Sequence, residues 1–236
     1  MIKARLGSGR MKHKMIRPFA GSTLLEIALR KVQDCKMLSA DRIYLGAYEK
    51  EIKAIGEKVG VNIYDRPAVS VSDKATMKDL YSFIWTIDAE YFLEINPCNP
   101  LLRPETVDAA LEAFQANDYS SLFSVIKKRN YFFDENSALV NEFLGDKRFL
   151  PILDTKMIGP LYEAAHSIYI WSADRMKKEL NRWSFTRNDP FLFVMPEEEA
   201  FDVDYEWQFD LAQCAYTQCY GKFNKGEKGG VAWKST

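Results

Sequence analysis

No stretch of this chain approaches the roughly 18 consecutive apolar residues that a helix needs to cross a bilayer. Its first residues are charged and leave no room for the apolar core of a secretory signal, so a cytoplasmic setting is expected. Cysteine is scarce and scattered. Cys35, Cys98, Cys214 and Cys219 form no Cys-x-x-Cys spacing, which argues against a zinc site and a disulfide framework and fits a reducing compartment. Charge of one sign is lacking too: 32 Lys and Arg against 33 Asp and Glu leave no global field to recruit nucleic acid, so basic character has to act locally. With two histidines and no Gly-x-Ser-x-Gly elbow, a hydrolase triad finds no support, and there is no internal repeat.

What is present is a chain of 236 residues, 47% hydrophobic, long enough for one large α/β domain. Residues 2–4 read as a brief first strand that a glycine loop ends, and Ser22 reads as the cap of a helix running to about Val32. Strand readings at 42–45 and 61–64 enclose a helix from Glu49 to Val59 that Gly60 closes, which is βαβ alternation. A loop at 68–72 leads to a helix expected from Asp73 or Lys74 through Ile87. Residues 91–95 read as a buried strand emptying into a loop, and Pro104 opens a helix to Gln115. Strands are expected at 121–127, 167–171 and 191–195, with helices from Ser172 to about Leu180 and from Trp207 to Cys219. The expected architecture is a mainly parallel sheet with crossover helices in a single domain, residues 1–220. Periodicity degrades over 128–162, which reads as an inserted arm. Tyr131, Phe132, Phe133, Phe143 and Phe149, if exposed, would make that arm a dimerisation element. The Gly- and Lys-rich residues 221–236 read as a flexible tail.

Three constellations carry chemistry. In MIKARLGSGRMKHKMI, Gly7, Ser8 and Gly9 are bracketed by Arg5, Arg10, Lys12 and Lys14. Glycines let backbone amides approach a ligand, and amides with fixed cations make a concave site for phosphate oxygens. A basic, flexible N-terminus would contain the same residues. Arg66-Pro67 followed by Ser72, Asp73 and Thr76 places a cation and hydroxyls where a nucleotide's sugar or base lies in an open α/β sheet, although Asp73 also suits a helix cap. Asp202-Val-Asp204 puts two carboxylates on one side of an extended segment, as a divalent cation needs. The same pattern serves as acids at a helix N-terminus. His166, at a strand margin, reads as structural, and His13 as a loop residue near phosphate.

Ala4-Arg-Leu-Gly-Ser-Gly-Arg10, with Lys14 four residues on, resembles the signature ARxGSxR…K of the acylneuraminate cytidylyltransferase family, the enzymes that make CMP-sialic acids and related CMP-nonulosonates. Four more segments follow in the family's order. Arg66-Pro67…Ser72-Asp73-x-Ala75-Thr76 resembles its second segment, and 96–101 resembles its QPTSPL turn. Residues 167–170 resemble its NGAIYI strand, and 201–204, continuing as Phe209-Asp-Leu-Ala212, resemble its DIDxxxDLxxAE close. The chain differs from that pattern at Gly9, Lys12, His13, Asn96 and Asn99. The start is also similar to the spore-coat polysaccharide type of cytidylyltransferase. That type and the Kdo-activating type carry an Asp ahead of the proline turn as a metal ligand, where this chain has Cys98.

The resemblance implies a Rossmann-like nucleotidyltransferase that joins a 2-keto sugar acid to CMP from CTP, works as a homodimer and uses Mg²⁺. Arg5 and Lys14 would hold the triphosphate with the Gly7–Ser8–Gly9 backbone cradling it, Ala4 and Arg10 completing that signature. Arg66, Ser72, Asp73 and Thr76 would contact base or ribose, and Asn96 would lie near the sugar acid. Asp202 and Asp204 would bind the metal, with Arg5, Lys14 and Asp204 carrying catalysis. A nucleotide-binding protein that kept the fold without the reaction is the alternative from another class.

Overall fold

The computed structural model describes residues 1–7, 9–144 and 154–220. Ser8, Phe149, part of the expected arm and the tail at 221–236 lie outside the described residues. A seven-stranded sheet organises the chain. Its strands, in chain order, are β1 (Ile2–Lys3), β4 (Tyr44–Ala47), β5 (Asn62–Asp65), β6 (Tyr91–Ile95), β7 (Ser121–Lys128), β8 (Leu161–Ser172) and β9 (Phe191–Val194). A separate two-stranded ribbon pairs β2 (Pro18–Phe19) with β3 (Ser22–Thr23).

Across the large sheet the order is β5-β4-β1-β6-β8-β7-β9. The pairings of β1 with β4 and β6, of β4 with β5 and of β7 with β9 are parallel. β8 is antiparallel to both β6 and β7, so the sheet is mostly parallel with one reversed strand. β1 has β4 on one side and β6 on the other, the topological switch at which open α/β sheets bind ligands. The C-terminal ends of β1, β4, β5 and β6 deliver Arg5, Glu49, Arg66 and Asn96 toward that one edge.

One large core takes in α1 (Leu24–Gln33), α2 (Lys50–Val59), α4 (Pro104–Gln115) and α6 (Glu206–Tyr220), with Ile2, Leu24, Leu29, Leu45, Ile52 and Leu122 fully buried. A second cluster on the sheet holds Tyr81, Phe83, Phe92 and Trp171, and extends to Met176 of α5 (Ala173–Glu179). Lys3 lies against this second cluster. Its ammonium pairs with Glu94 at 2.9 Å and sits 3.9 Å from the centroid of the Tyr81 ring. Burial pulls the Lys3 ammonium down and also works against the charge on Glu94, but Lys3, with Arg182 and the N-terminal ammonium, holds that carboxyl below its ordinary value. The pairing keeps two buried charges tolerable beneath an aromatic layer.

Several elements stand where the sequence puts them. β6 and α4 match their expected bounds, α4 opening on Pro104, whose missing N–H would have no partner in a first turn. Gly60 closes α2 with φ +82°. Others differ, for physical reasons. Ser22 is not the cap of α1: it pairs with Phe19 across the tight turn Ala20-Gly21, where φ is +47° and +85°. Thr23 caps instead, its hydroxyl accepting from Glu26 N at 3.1 Å. The helix expected through Ile87 shrinks to α3 (Met77–Leu80), capped by a reciprocal Thr76–Asp79 box, and one 3₁₀ turn over Ser82–Trp85. Aromatic and β-branched residues resist helix here, and the tighter turn sinks both Phe83 and Ile84 into the second cluster. β8 is longer than expected and begins at Leu161. Of the aromatic residues expected on the arm's surface, Phe133 is 60% exposed, while Tyr131, Phe132 and Phe143 are half-buried. Among the described residues no helix is long and apolar enough to cross a membrane.

The β7–β8 pairing breaks near the site. Between the pairs Phe123↔Tyr169 and Val125↔Ala164, β7 advances two residues and β8 five, so residues 165–168 bulge toward the ligand edge. Buried Ser124 satisfies the freed amides, its Oγ accepting from Ser167 N at 3.3 Å and Ile168 N at 2.9 Å. Ser124→Ala leaves those two donors unpaired in a dry place. It is expected to lower unfolding free energy by about 1–3 kcal/mol, checked by denaturant melts.

Candidate active site

Two segments from opposite ends of the chain meet at the ligand edge. Lys14 is buried, and its ammonium donates to Val203 O at 2.7 Å and to Asp204 Oδ1 at 3.0 Å. Arg10 takes the other oxygen of the same carboxylate, Nη1 to Oδ2 at 2.8 Å. Burial works against the charge on Lys14, but the Cys98 sulfur and the Asp204 carboxylate outweigh it and raise the ammonium above its ordinary value. Asp204 thus turns its oxygens to two cations of the N-terminal loop. The amides of Asp204 and Tyr205 are taken by Gln208 Oε1 at 2.7 and 2.9 Å, which starts α6 without the Asp204 side chain.

Asp202 has the opposite environment. Val203 between the two acids is fully buried and its amide donates to Cys98 O at 3.0 Å, fixing the segment against the turn after β6. Asp202 Oδ1 is shut away from water and, among the described residues, has no hydrogen-bond partner. Burial pushes this carboxyl up, and Asp204 pushes it further, with Lys14, His166 and Arg10 pulling the other way. A buried carboxylate oxygen without a donor, next to a second carboxylate, is a donor set that a hard divalent cation satisfies. Cys98 is a poor partner for such a cation, because its soft sulfur does not suit a hard ion, and burial pushes its thiol up to about 11.

The glycine loop is open. A Cβ built on Gly7 or Gly9 meets no atom within 4 Å, and neither glycine lies in the left-handed region. Nothing in the fold demands glycine there, so the open space above the loop backbone is room for a ligand. Left-handed backbone falls at His13 instead, φ +60°. Leu6 N donates to Glu49 Oε1 at 3.0 Å, a contact the sequence did not signal, since Glu49 reads there only as a helix start. Arg5 reaches across to the segment after β5, donating to Val71 O at 2.8 Å and meeting Asp73 Oδ1 at 3.4 Å. Asp73 is therefore Arg5's partner, and the helix cap is Thr76.

Arg66 turns inward. It is buried, donating from Nε to Ser70 Oγ at 3.1 Å, from Nη2 to Ser70 O at 2.6 Å and from Nη1 to Ala4 O at 3.5 Å. It braces the base of the glycine loop. Ser72 Oγ donates to Val69 O at 2.8 Å and Thr76 is held in its capping box, so both hydroxyls have local work. Asn96 clamps β6 to the bulge of β8: its Nδ2 donates to His166 O at 2.9 Å and its Oδ1 accepts from Cys98 N at 3.0 Å. Behind this turn, Lys31 donates to Asn99 O and Pro100 O at 3.0 and 2.9 Å, and the fully buried Glu199 accepts from Arg103 N at 3.0 Å and pairs with its guanidinium. Burial pushes Lys31 down to about 7.

The structure therefore gathers Arg10, Lys14, Asp202 and Asp204 into one cluster, sets Arg5 with Asp73 beside it, and uses Arg66, Ser72 and Thr76 as scaffold. Among the described residues no group of three or more His, Cys, Asp or Glu side chains is set to hold a metal ion. A cavity of about 580 Å³ lies at the opposite edge near Met1, Tyr44 and Tyr91, and none of the sequence-predicted site residues lines it.

The folded-state value of Asp202 lies above its unfolded one. The native state therefore binds the proton more tightly, and stability falls as pH rises from the ordinary 3.8 through the raised value. Asp202→Asn is expected to be more stable than the parent at pH 7, with the difference fading as pH drops below the carboxylate range. Thermal melts at stepped pH test this, and a destabilised variant at pH 7 contradicts the unpaired carboxylate.

Comparison with known proteins bears on the family and the fold. The chain is 25% identical over 225 residues to post-translational flagellin modification protein B of Campylobacter coli, covering 90% of this chain and 92% of that protein. It is 23% identical over 241 residues to N-acylneuraminate cytidylyltransferase B of Danio rerio, covering 98% of this chain but only 54% of that longer protein. In fold it is similar to a CMP:2-keto-3-deoxy-manno-octonic acid synthetase solved with CTP, with a TM-score of 0.64 at 11% identity over 92% of this chain and 97% of that one. The cytidylyltransferase family model matches residues 1–144, which hold the glycine loop and five of the seven strands of the large sheet, β1, β4, β5, β6 and β7, and on that match the chain belongs to the cytidylyltransferase family.

Proposed function

We propose that this chain is a Mg²⁺-dependent cytidylyltransferase that joins CMP from CTP to a nonulosonic acid and releases pyrophosphate. The observation that carries the reading is the unpartnered Asp202 oxygen beside an Asp204 whose own oxygens are tied to Lys14 and Arg10 of the glycine loop. Asp202 and Asp204 would hold the metal, which when bound supplies charge neutralisation to the phosphate oxygens. The open backbone at Gly7 and Gly9 would cradle the triphosphate, with Arg5, Arg10 and Lys14 as its cations and Ala4 at the loop's base. An arginine bound to one carboxylate oxygen at the surface is readily exchanged, so Arg10 can leave Asp204 for a phosphate. Lys14, buried and doubly held, would keep the carboxylate oriented throughout. The anomeric hydroxyl of the acid attacks the α-phosphorus in line, the P–O bond to the leaving pyrophosphate breaks, and the fixed cations stabilise the charge that develops there. Arg66, Ser72, Asp73 and Thr76 would shape the nucleoside side of the site and Asn96 the acid side.

Two further features support the proposal, one on the substrate class and one on the oligomeric state. Cys98 stands where the spore-coat and Kdo-activating types carry a metal-binding Asp, and a soft thiol does not replace that carboxylate toward Mg²⁺. Exposed Phe133, Val140, Leu144 and Tyr162, at 60, 54, 56 and 46%, give the 128–162 arm apolar surface that a homodimer would cover. Sedimentation of the purified chain as a monomer at working concentration removes that part of the proposal.

The decisive assay is pyrophosphate release from CTP and Mg²⁺ over a panel of N-acetylneuraminic, legionaminic, pseudaminic and Kdo acids. Turnover on one of the first three, with Kdo poor, is the expected result; CTP binding by calorimetry without turnover on any acid favours a non-catalytic nucleotide binder. Asp204→Ala is expected to lose at least about a hundredfold in kcat with the fold intact by circular dichroism, and full activity in it sinks the metal assignment.

A further inference from the structure

His166 holds a backbone conformation that its side chain does not favour. Its φ is +52°, in the left-handed region, at the centre of the β8 bulge that Ser124 supports. A non-glycine residue in that region is strained, and such strain persists where surrounding contacts over-determine it. Those contacts are present. The His166 carbonyl accepts from Asn96 Nδ2 at 2.9 Å, and the next residue's carbonyl, Ser167 O, accepts from Asn96 N at 3.0 Å. The imidazole is also held: Nδ1 lies 3.1 Å from Tyr169 Oη, and the ring sits 5.7 Å from the centroid of Phe123.

The side chain faces outward from this support. His166 is exposed, and among the described residues its Nε2 makes no hydrogen bond. It stands on the acid side of the site, joined to Asn96 and close enough to Asp202 for their charges to interact. The wall behind it is cationic and aromatic. Arg182 lies 5.0 Å from the Tyr169 ring centroid and 4.3 Å from that of Trp183, so a guanidinium lies against the ring whose hydroxyl meets the imidazole. A purely structural residue at this position would be better served by glycine, which adopts φ +52° freely. An imidazole fixed at one nitrogen and open at the other, held by a tyrosine whose ring carries a guanidinium, is suited to an oxygen-rich anionic ligand.

We propose that His166 is a specificity-determining residue for the second substrate. Its Nε2, oriented through the Nδ1–Tyr169 contact, hydrogen-bonds a carboxylate or hydroxyl oxygen of the sugar acid, with Arg182 adding positive potential to the same wall. This rests on the acid-activating reaction proposed above and names the side chain that reads the acid.

The test uses the full chain, CTP, Mg²⁺ and whichever acid of the panel the parent turns over fastest. His166→Gly is expected to raise KM for the acid at least about tenfold, the fold-change of one lost hydrogen bond to a charged group, with KM for CTP within about twofold. The same variant should melt a few degrees higher, because glycine relaxes the left-handed backbone. His166→Asn tolerates that backbone and keeps a polar side chain, so it should recover part of the acid KM, and Tyr169→Phe should raise it by a smaller factor than His166→Gly. An unchanged acid KM in His166→Gly overturns the inference, and so does an equal rise in both KM values, which would mean the residue acts through the nucleotide side. If the parent releases pyrophosphate with no acid, the acid-activating reading itself has failed and takes this inference with it. Turnover by the parent with an unmoved acid KM in the variant removes this inference alone.

Discussion

The ion pair between Lys14 and Asp204 is the contact on which the site depends, because it ties residues 190 positions apart in the chain. Without it the glycine loop after β1 and the acids ahead of α6 would be two unrelated surface segments. Lys14 binds not only the carboxylate but the Val203 carbonyl beside it, so the loop is fastened to the backbone as well as to a side chain. A buried lysine held by two oxygens loses much of its rotational freedom before any ligand arrives, and that ordering need not be supplied later by binding. Arg10, on the exposed oxygen of the same carboxylate, is the movable half of the arrangement.

The surroundings stiffen this junction from below. Arg66 holds Ala4, Asn96 holds the β8 bulge, and Lys31 with Glu199 and Arg103 holds the turn after β6. Each is a polar or charged side chain spent on backbone carbonyls, amides or an internal ion pair. Such groups are expensive to bury unless fully partnered, and their concentration around one sheet edge keeps the loops there in fixed positions. The Lys3–Glu94 pair plays a similar part beneath β1 and β6, the two strands that flank the switch point.

The sequence made the framework legible where local chemistry decides. Pro104 starts α4, Gly60 ends α2, and the apolar run at 91–95 is a strand because nothing in its surroundings competes. It misled where tertiary packing overrides propensity, as in the stretch after Thr76, whose aromatic residues are drawn onto the sheet in a 3₁₀ turn. It was off by one at Thr23 because Ser22 is an equally good cap by type, and only the Ala20-Gly21 turn distinguishes them. In the site, the five ordered motifs identified the segments that converge. They could not tell that Arg66 faces inward or that Asp73 answers Arg5, since both depend on partners remote in sequence. His166 reads as structural in the sequence, since a lone histidine at a strand margin carries no signal of backbone sign. The bulge that gives it one arises from a mismatch between two strands some forty residues apart.

The geometry of the glycine loop bears on how this protein can change over time. Gly7 and Gly9 have room for a Cβ and an ordinary backbone sign, so the fold places no demand on either position. A replacement there escapes the quality control that removes poorly folded chains and is visible to selection only through what the loop holds. Under the proposed phosphate-binding role, the same loop in a descendant that had lost the reaction would drift first at these glycines, while Lys14, bound into the structure, would stay.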